Sequence, residues 1–298
     1  MDDRITQIDA LVAQGDEAFA AGRQQQALAI WVKALPDATH RQRSGLVARI
    51  GFVGRKSGGA LLGVQQHIES LDQLPVFVGD GLAVWKKTNG FLWDNRLVSI
   101  AHKHAGLLPI PNWQHNLQTV IWALKQVRHL SGDFMELGVF KGHTTRVAAE
   151  YLDFGTWDRR WWLYDTFDGV PDDQLNPGWA EINTKVYRGT YSYEEVRDRF
   201  ADFPNIEVIK GRVPEILVEH VPDRIAFLHM DLNSAVAEIA ALNHLFDRIT
   251  PGGVIIFDDF GWLASGDQHV AERDWMNARG LSILELPTGQ GVFVKAPA

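Results

Sequence analysis

The chain has 298 residues, 46% of them hydrophobic, which suits one sizeable α/β domain with an appendage, or two domains, and excludes a disordered chain. It carries no cysteine, so disulfides, thiolate metal sites and a cysteine nucleophile are excluded. The formal net charge is -8 with no evident basic face, so neither nucleic acid nor an anionic membrane surface is expected as a partner. The opening MDDRITQIDA is acidic and polar, unlike a secretory signal, and no uncharged apolar run reaches the roughly 18–20 residues of a membrane helix. The chain reads as cytoplasmic.

Residues 4–35 show Ala, Leu and Trp at helical spacing, interrupted by a Gly, and resemble one tetratricopeptide-type hairpin, assigned here to 1–45. A lone hairpin has no neighbouring repeat on which to bury its apolar face. It is expected to pack on the main domain or on a second subunit, which leaves a homo-oligomer open; an ordinary amphipathic helix pair explains it equally well. Residues 46–114 form a connecting region with little readable pattern. PDATHRQRSG and GRKSGG are turn-rich and basic. GRKSGG lacks the full Gly-x4-Gly-Lys-Ser/Thr spacing and is taken as a surface loop.

The main domain is expected over 115–298, entered by a helix over 115–130. Strands then alternate with helices. DFMELG precedes a helix over 143–152, and RWWLYDT precedes the helix YEEVRDRFADF. IEVIKG precedes the short helix PEILVEH, RIAFLHMD precedes SAVAEIAALNHLFDRI, and GGVIIFDD precedes HVAERDWMNARG. LSILELPTGQGVFVK closes the chain as two strands around a turn. The alternation implies an α/β fold with a doubly wound, mostly parallel sheet, the closing hairpin adding an antiparallel edge strand. In such sheets ligands sit at the carboxyl ends of the strands, near the switch in strand order.

The first of these strands ends in ELGVFKG. Gly138 and Gly142 permit a tight turn and close ligand approach, and the helix that follows offers free N–H groups. The dinucleotide pattern Gly-x-Gly-x2-Gly is missing, which counts against a nicotinamide enzyme. The acid Glu136 suits a ligand with an ammonium group or hydroxyls. Alone, the glycine pair is equally consistent with a plain strand-to-helix turn. The next strand ends at Asp165, roughly 25–30 residues on, where a carboxylate can accept from ribose hydroxyls; a turn or capping Asp is the bland alternative. Asp231, Asp258 and Asp259 end two strands that should be neighbours. Three converging carboxylates need a proton or a cation between them, and oxygen-only ligation favours Mg²⁺ or Ca²⁺. The alternative is that some of them cap helices or face solvent. His229 lies within a strand and reads as packed. His143, His244 and His269 lie on helices with solvent as the default surroundings, His269 alone being kept as a candidate base. Trp179 and Trp262 fall in loops near the strand ends, where they could stack on a sugar or simply pack. The loops 168–190 and 260–268 have no readable code.

From about 130 onward the chain resembles the macrocin O-methyltransferase family, class I enzymes that use S-adenosylmethionine. The matching stretches are GDFMELGVFKG, LYDTFDGVPDD, YEEVRDRFADFPNIEVIKG and IAFLHMDLNSAVAEIAALNHLFDRITPGGVIIFDDFGW, in the family's order. The resemblance implies a seven-stranded sheet and a Mg²⁺-assisted O-methyltransferase acting on a hydroxyl of a sugar, another polyol-type small molecule or a glycan. It implies that Glu136, Gly138 and Gly142 surround the methionine part of the cofactor, with Leu137 and Val139 as further contacts. Asp165 would hold the ribose beside Thr166 and Phe167, and Gly211 and Arg212 would lie near the adenine. Asp231, Asp258 and Asp259 match the metal ligands. In one departure, the family reads Asp-x-Asp where this chain has Asp231-Leu232-Asn233, and Asn233 cannot accept a proton at neutral pH. Asn233 can orient a hydroxyl or the metal's water. Two rival readings stay open: a non-catalytic cofactor-binding scaffold, and another metal-dependent enzyme on the same frame, such as a hydroxylase.

Overall fold

Five short segments rich in Val, Ile, Leu and aromatic residues lie side by side, the central ones buried on both faces as strands covered by helices on both sides must be. The computed structural model describes residues 2–34, 46, 77–84, 87–108 and 113–296. PDATHRQRSG and GRKSGG lie outside the described residues. The strands are β3 (Asp133–Leu137), β4 (Trp161–Asp165), β5 (Ile206–Lys210), β6 (Ile225–Met230) and β7 (Ile249–Phe257), joined by β8 (Leu284–Glu285) and β9 (Gly291–Val294). Two earlier strands, β1 (Phe77–Gly79) and β2 (Leu82–Val84), form a separate hairpin. The large sheet has the order β5-β4-β3-β6-β7-β9-β8. The first five strands are parallel, and β9 runs antiparallel to both β7 and β8. Strand order reverses at β3, which lies between β4 and β6.

All six residues of β6 are buried, as befits the centre of the sheet. Side chains alternate between its faces. On one face Phe134, Phe154, Trp161 and Phe227 interlock, mostly edge to face, with ring centroids 5.3–6.2 Å apart. On the other, Met135, Leu137, Leu228 and Met230 join Ala241, Leu242 and Leu245 of α7 (Ala235–Leu245) and Met276 of α8 (Gly266–Asn277) in one cluster. The helices α3 (Asn95–His104), α4 (Gln114–Gln126) and α5 (His143–Leu152) pack together, and α6 (Tyr193–Arg199) opens on a capping box formed by Ser192 and Glu195.

One expectation changes. The helix read as extending to Ile249 stops at Leu245, a 3-10 turn follows over Phe246–Arg248, and β7 begins at Ile249, because β-branched Ile249 and Thr250 precede Pro251 and favour extended backbone. The closing hairpin supplies the antiparallel edge as expected, with β9 internal and the two exposed residues of β8 outermost. Val292 and Phe293 are buried, so β9 takes the place beside β7.

The chain divides into two compact units: residues 1–77 with 83–87, and residues 78–82 with 88–298. In the first, α1 (Asp2–Ala20) and α2 (Gln24–Ala34) pair around Ile8, Ala18, Ala27, Trp31 and Val32. Gly22 ends α1 in the left-handed region, with Arg23 N–H donating to the Ala18 carbonyl at 2.9 Å, a Schellman arrangement. A Cβ at Gly15 would lie 2.2 Å from the Trp31 indole nitrogen, so only glycine lets that ring lie across α1.

Removing a ring from the aromatic face should leave a cavity that the interlocked neighbours cannot fill. Phe227→Ala is expected to lower unfolding free energy by about 3–5 kcal/mol in urea titrations.

Candidate active site

The sheet register brings the candidate residues together at the carboxyl ends of the central strands. Leu137 pairs with Met230, and Met230 with Phe257, so Gly138, Asp231 and Asp258 follow in line. The ladder runs on past the strands: Asp231 N–H donates to Leu137 O at 2.8 Å, Asp258 N–H to Met230 O at 2.8 Å, and Gly138 N–H to Tyr164 O at 2.8 Å. A Cβ at Gly138 would fall 1.9 Å from the Asp231 carbonyl oxygen, and φ there is +85°. Any side chain at 138 would push β6 away from β3. Gly142 closes the loop in the left-handed region as the N-cap of α5, and no side chain caps that helix. Its first N–H groups are therefore available to a polar ligand.

Asp165 anchors this loop. One carboxylate oxygen accepts from Val139 N–H and Phe140 N–H, both at 2.8 Å. The other accepts from Phe167 N–H at 2.6 Å and from the Tyr191 hydroxyl at 2.9 Å. Four donors saturate a carboxylate. In this conformation a ribose hydroxyl reaches Asp165 only by replacing the Tyr191 hydroxyl, its one side-chain donor. Burial raises the acid above the usual range, against the pull of those four donors.

A buried polar chain crosses beneath the strand ends. Thr145 donates its hydroxyl to Glu136, whose other oxygen meets His229 Nδ1 at 3.0 Å. His229 Nε2 meets Asp258 at 3.2 Å, and Gln290 Nε2 donates to the same Asp258 oxygen at 2.8 Å. Both ring nitrogens thus face carboxylates, which requires an imidazolium. Burial opposes that charge, but the bonds to Asp258 and Glu136 outweigh it and hold the His229 pKa well above its ordinary value. Glu136 is only 3% exposed, with both oxygens engaged inside the protein, so a ligand meets the loop's backbone before it meets this acid.

Asp231, Asp258 and Asp259 each offer an oxygen within 4.8 Å of the others. Burial first, and then mutual repulsion, raises Asp231 and Asp259 well above the carboxylate range. Asp259 Oδ2 is buried without a partner. An all-oxygen set with one orphaned carboxylate oxygen fits a hard divalent cation. Asn233 sits beside the trio in the left-handed region, φ 54°, which Asn tolerates. Its amide donates to Asp231 at 3.2 Å, while its Oδ1 is unpartnered.

Other sequence-derived candidates fall around this centre in different ways. Phe167 is buried against Tyr191 and Tyr193. Thr166 donates to Gly169 O at 2.6 Å and closes the loop after β4. Gly211 N–H continues the ladder to Asp165 O at 2.9 Å, while Arg212 turns outward to Asp173. His269 gives Nδ1–H to Phe260 O at 3.0 Å, packs on that ring and is not one of the trio. His143, expected in solvent, is instead buried, and burial lowers it to about 4. Trp179 is buried, its indole donating to Ser265 at 3.0 Å.

Several residues have no counterpart in the sequence reading: Gln290, Tyr191 and Tyr187, whose ring meets Phe140 at 5.3 Å. Burial and the charges of Asp231, Asp259 and Asp258 raise the Tyr187 hydroxyl well above its usual value, so it stays a proton donor. Both tyrosines lie in or next to the loop without a readable code. Glu238 is also buried, accepting from Leu232 N–H at 3.0 Å and Gln268 at 3.1 Å, and so holds the Asp231–Asn233 turn from below.

Residues 99–284 match the family described as macrocin O-methyltransferase. The chain belongs to that family. As a member it is an S-adenosylmethionine-dependent methyltransferase. It is 28% identical over 206 residues, 65% of this chain and 76% of the relative, to the 8-demethyl-8-(2,3-dimethoxy-α-L-rhamnosyl)-tetracenomycin-C 4'-O-methyltransferase of Streptomyces olivaceus. It is also 28% identical over 213 residues, 67% of this chain and 80% of the relative, to the mycinamicin III 3''-O-methyltransferase of Micromonospora griseorubida. The O-methyltransferase NovP shares the fold at 21% identity, with a TM-score of 0.51 over 61% of this chain and 80% of its own. Among the described residues, no helix is long and apolar enough to cross a membrane.

Two outcomes follow from this geometry. Gly138→Ala should weaken S-adenosylhomocysteine binding more than tenfold by calorimetry, because the loop and Asp231 cannot both keep their places. The second concerns pH. Asp231 and Asp259, raised from 3.8, bind protons in the folded state that the unfolded chain has released, and His229, raised from 6.5, acts in the same direction. Chelator-treated protein should therefore lose stability as pH rises from about 5 to 8. Asp231→Asn should be more stable than the parent at pH 8 by about 1–3 kcal/mol in urea titrations, with a flatter pH profile.

Proposed function

We propose that this methyltransferase transfers the methyl group of S-adenosylmethionine to a hydroxyl oxygen of a sugar-bearing acceptor, assisted by Mg²⁺ at Asp231, Asp258 and Asp259. The observation that carries the reading is the meeting of these three acids beside the Gly138–Gly142 loop, at the switch in strand order. The sugar comes from the Streptomyces relative, which is named for methylating an oxygen of a rhamnosyl-bearing tetracenomycin. A divalent cation held there would lower the pKa of a hydroxyl bound to it.

The chain's own residues do the rest. The Gly138–Gly142 turn and the start of α5 hold the amino-acid end of the cofactor, with Leu137 and Val139 beside it. Phe167, Thr166, Gly211 and Arg212 border the nucleoside end, and the Tyr191 hydroxyl yields its place on Asp165 to the ribose. Glu136, His229 and Gln290 fix the orientation of Asp258. Asn233 cannot take a proton; its free Oδ1 accepts from the acceptor hydroxyl or a neighbouring water and orients it. The acceptor hydroxyl would release its proton to solvent water, and its oxygen would attack the methyl carbon in line as the carbon–sulfur bond breaks, giving the ether and S-adenosylhomocysteine. Most of the rate enhancement then comes from positioning two reactants and from electrostatic stabilisation of the oxygen.

Asn233 is also the observation that favours a second reading, a cofactor-binding protein without turnover. Asp231→Ala and Asp258→Ala should each reduce methyl transfer to a rhamnoside at least a thousandfold while leaving the circular dichroism spectrum unchanged. Full activity of both variants in metal-free buffer would exclude the metal role. Tight S-adenosylmethionine binding with no transfer to any glycoside would favour the second reading.

A further inference from the structure

Asp80 is a charge in an unusual place. It forms the tip of the β1–β2 hairpin with Gly81, both in the left-handed region that a two-residue hairpin turn requires. Hairpin tips are normally solvated, yet Asp80 is 2% exposed. Its carboxylate accepts from His115 N–H at 2.8 Å and, more weakly, from Asn116 N–H at 3.4 Å, in the first turn of α4, a helix without a side-chain cap of its own. Helix capping accounts for part of this arrangement and leaves the side chain of Asn116 unexplained. That amide is 1% exposed, and both its nitrogen and its oxygen lack a partner. The amide nitrogen of Asn89 is likewise buried and unpartnered, on the turn whose Phe91 ring meets His115 at 4.7 Å. Buried polar groups are almost always bonded, so an orphaned amide on the residue that bonds Asp80, with a second on the turn packed against His115, marks a place where a ligand's hydroxyls can supply the partners.

The location fits an acceptor. Gly81, next to Asp80, faces the Trp262 ring, where its Cβ would lie 3.6 Å away. Trp262 leaves the metal-binding turn directly, its N–H donating to Asp259 O at 3.1 Å. Its indole stacks on Trp113, the N-cap residue just before α4, with centroids 6.2 Å apart and planes within 19°. An indole pair beside a carboxylate and a carboxamide is the surface that a saccharide ring needs: apolar C–H faces lie on the rings, and vicinal hydroxyls bond the polar groups. The geometry therefore points to an acceptor subsite built from Asp80, Asn116, Trp113 and Trp262, which takes the polyhydroxylated ring of a sugar. This rests on the methyl-transfer reading above and names the residues that choose its substrate. Burial, opposed by the two N–H bonds, and the nearby charge of Asp258 lift Asp80 to about 7, so at neutral pH it can accept from a hydroxyl or donate to one.

The test uses the full chain with S-adenosylhomocysteine bound and methyl α-L-rhamnopyranoside as the probe, binding being read by calorimetry and by NMR contacts between sugar protons and indole protons. Asp80→Asn keeps an oxygen for the His115 N–H, so α4 remains capped. Asp80→Asn, Asn116→Ala and Trp262→Leu should each weaken the glycoside at least tenfold, with S-adenosylhomocysteine affinity unchanged within twofold and thermal midpoints confirming folding. The indole contacts in the unaltered protein provide a check that depends on no variant. Glycoside binding unchanged in Asp80→Asn and Trp262→Leu would overturn the subsite, as would a bound glycoside that touches neither Trp113 nor Trp262, or no glycoside binding at all. Failure to bind S-adenosylhomocysteine would instead strike at the methyl-transfer reading, and glycoside binding would still decide the subsite.

Discussion

The close approach of β3 to β6 at Gly138 is the constraint on which the site depends. With no Cβ at that position, the end of β3 can lie against the Asp231 carbonyl, and the hydrogen-bond ladder continues one residue beyond both strands. The continuation places Gly138, Asp231 and Asp258 side by side, and Asp259 follows. A cofactor loop on one strand and a carboxylate cluster on the next two thus become a single surface. The glycine does this through what it lacks. Its positive φ also sends the chain into the turn that ends at Gly142.

The acids brought together this way repel one another, and the fold manages that repulsion in two ways. Asp258 is held from beneath by Gln290 and by an imidazolium that also binds Glu136. Asp231 and Asp259 feel the same imidazolium only at a distance, and burial and repulsion make them keep their protons more readily. The three acids therefore carry a mutual repulsion that a bound cation would relieve. His229 ties the cofactor side of the site to its carboxylate side, so neither can shift without the other.

Asp165 and Glu136 show how far a residue's identity goes in specifying its role. Both stand where acids were expected, at the ends of their strands. Both also bond fully within the protein, Asp165 to four donors and Glu136 to Thr145 and His229. Their first effect is to set the shape of the loop that a ligand meets.

The alternation of apolar strands with helices, the glycine spacing in ELGVFKG and the acids ending three strands were legible in the sequence because they are local, with periods and neighbours a few residues apart. From them came the parallel sheet and the acids that meet at its strand ends. Partnerships across long sequence distances were not legible. The link from Glu136 through His229 to Asp258, the seat of Gln290 and the closure of Tyr191 on Asp165 depend on strand register and on a loop with no repeating pattern. The β1–β2 hairpin lay in a stretch with little readable pattern, and packing against α4 makes its Asp80 carboxylate a buried one. His143 shows the same limit: helical periodicity describes a face, and the tertiary contacts decide whether that face meets water or the core.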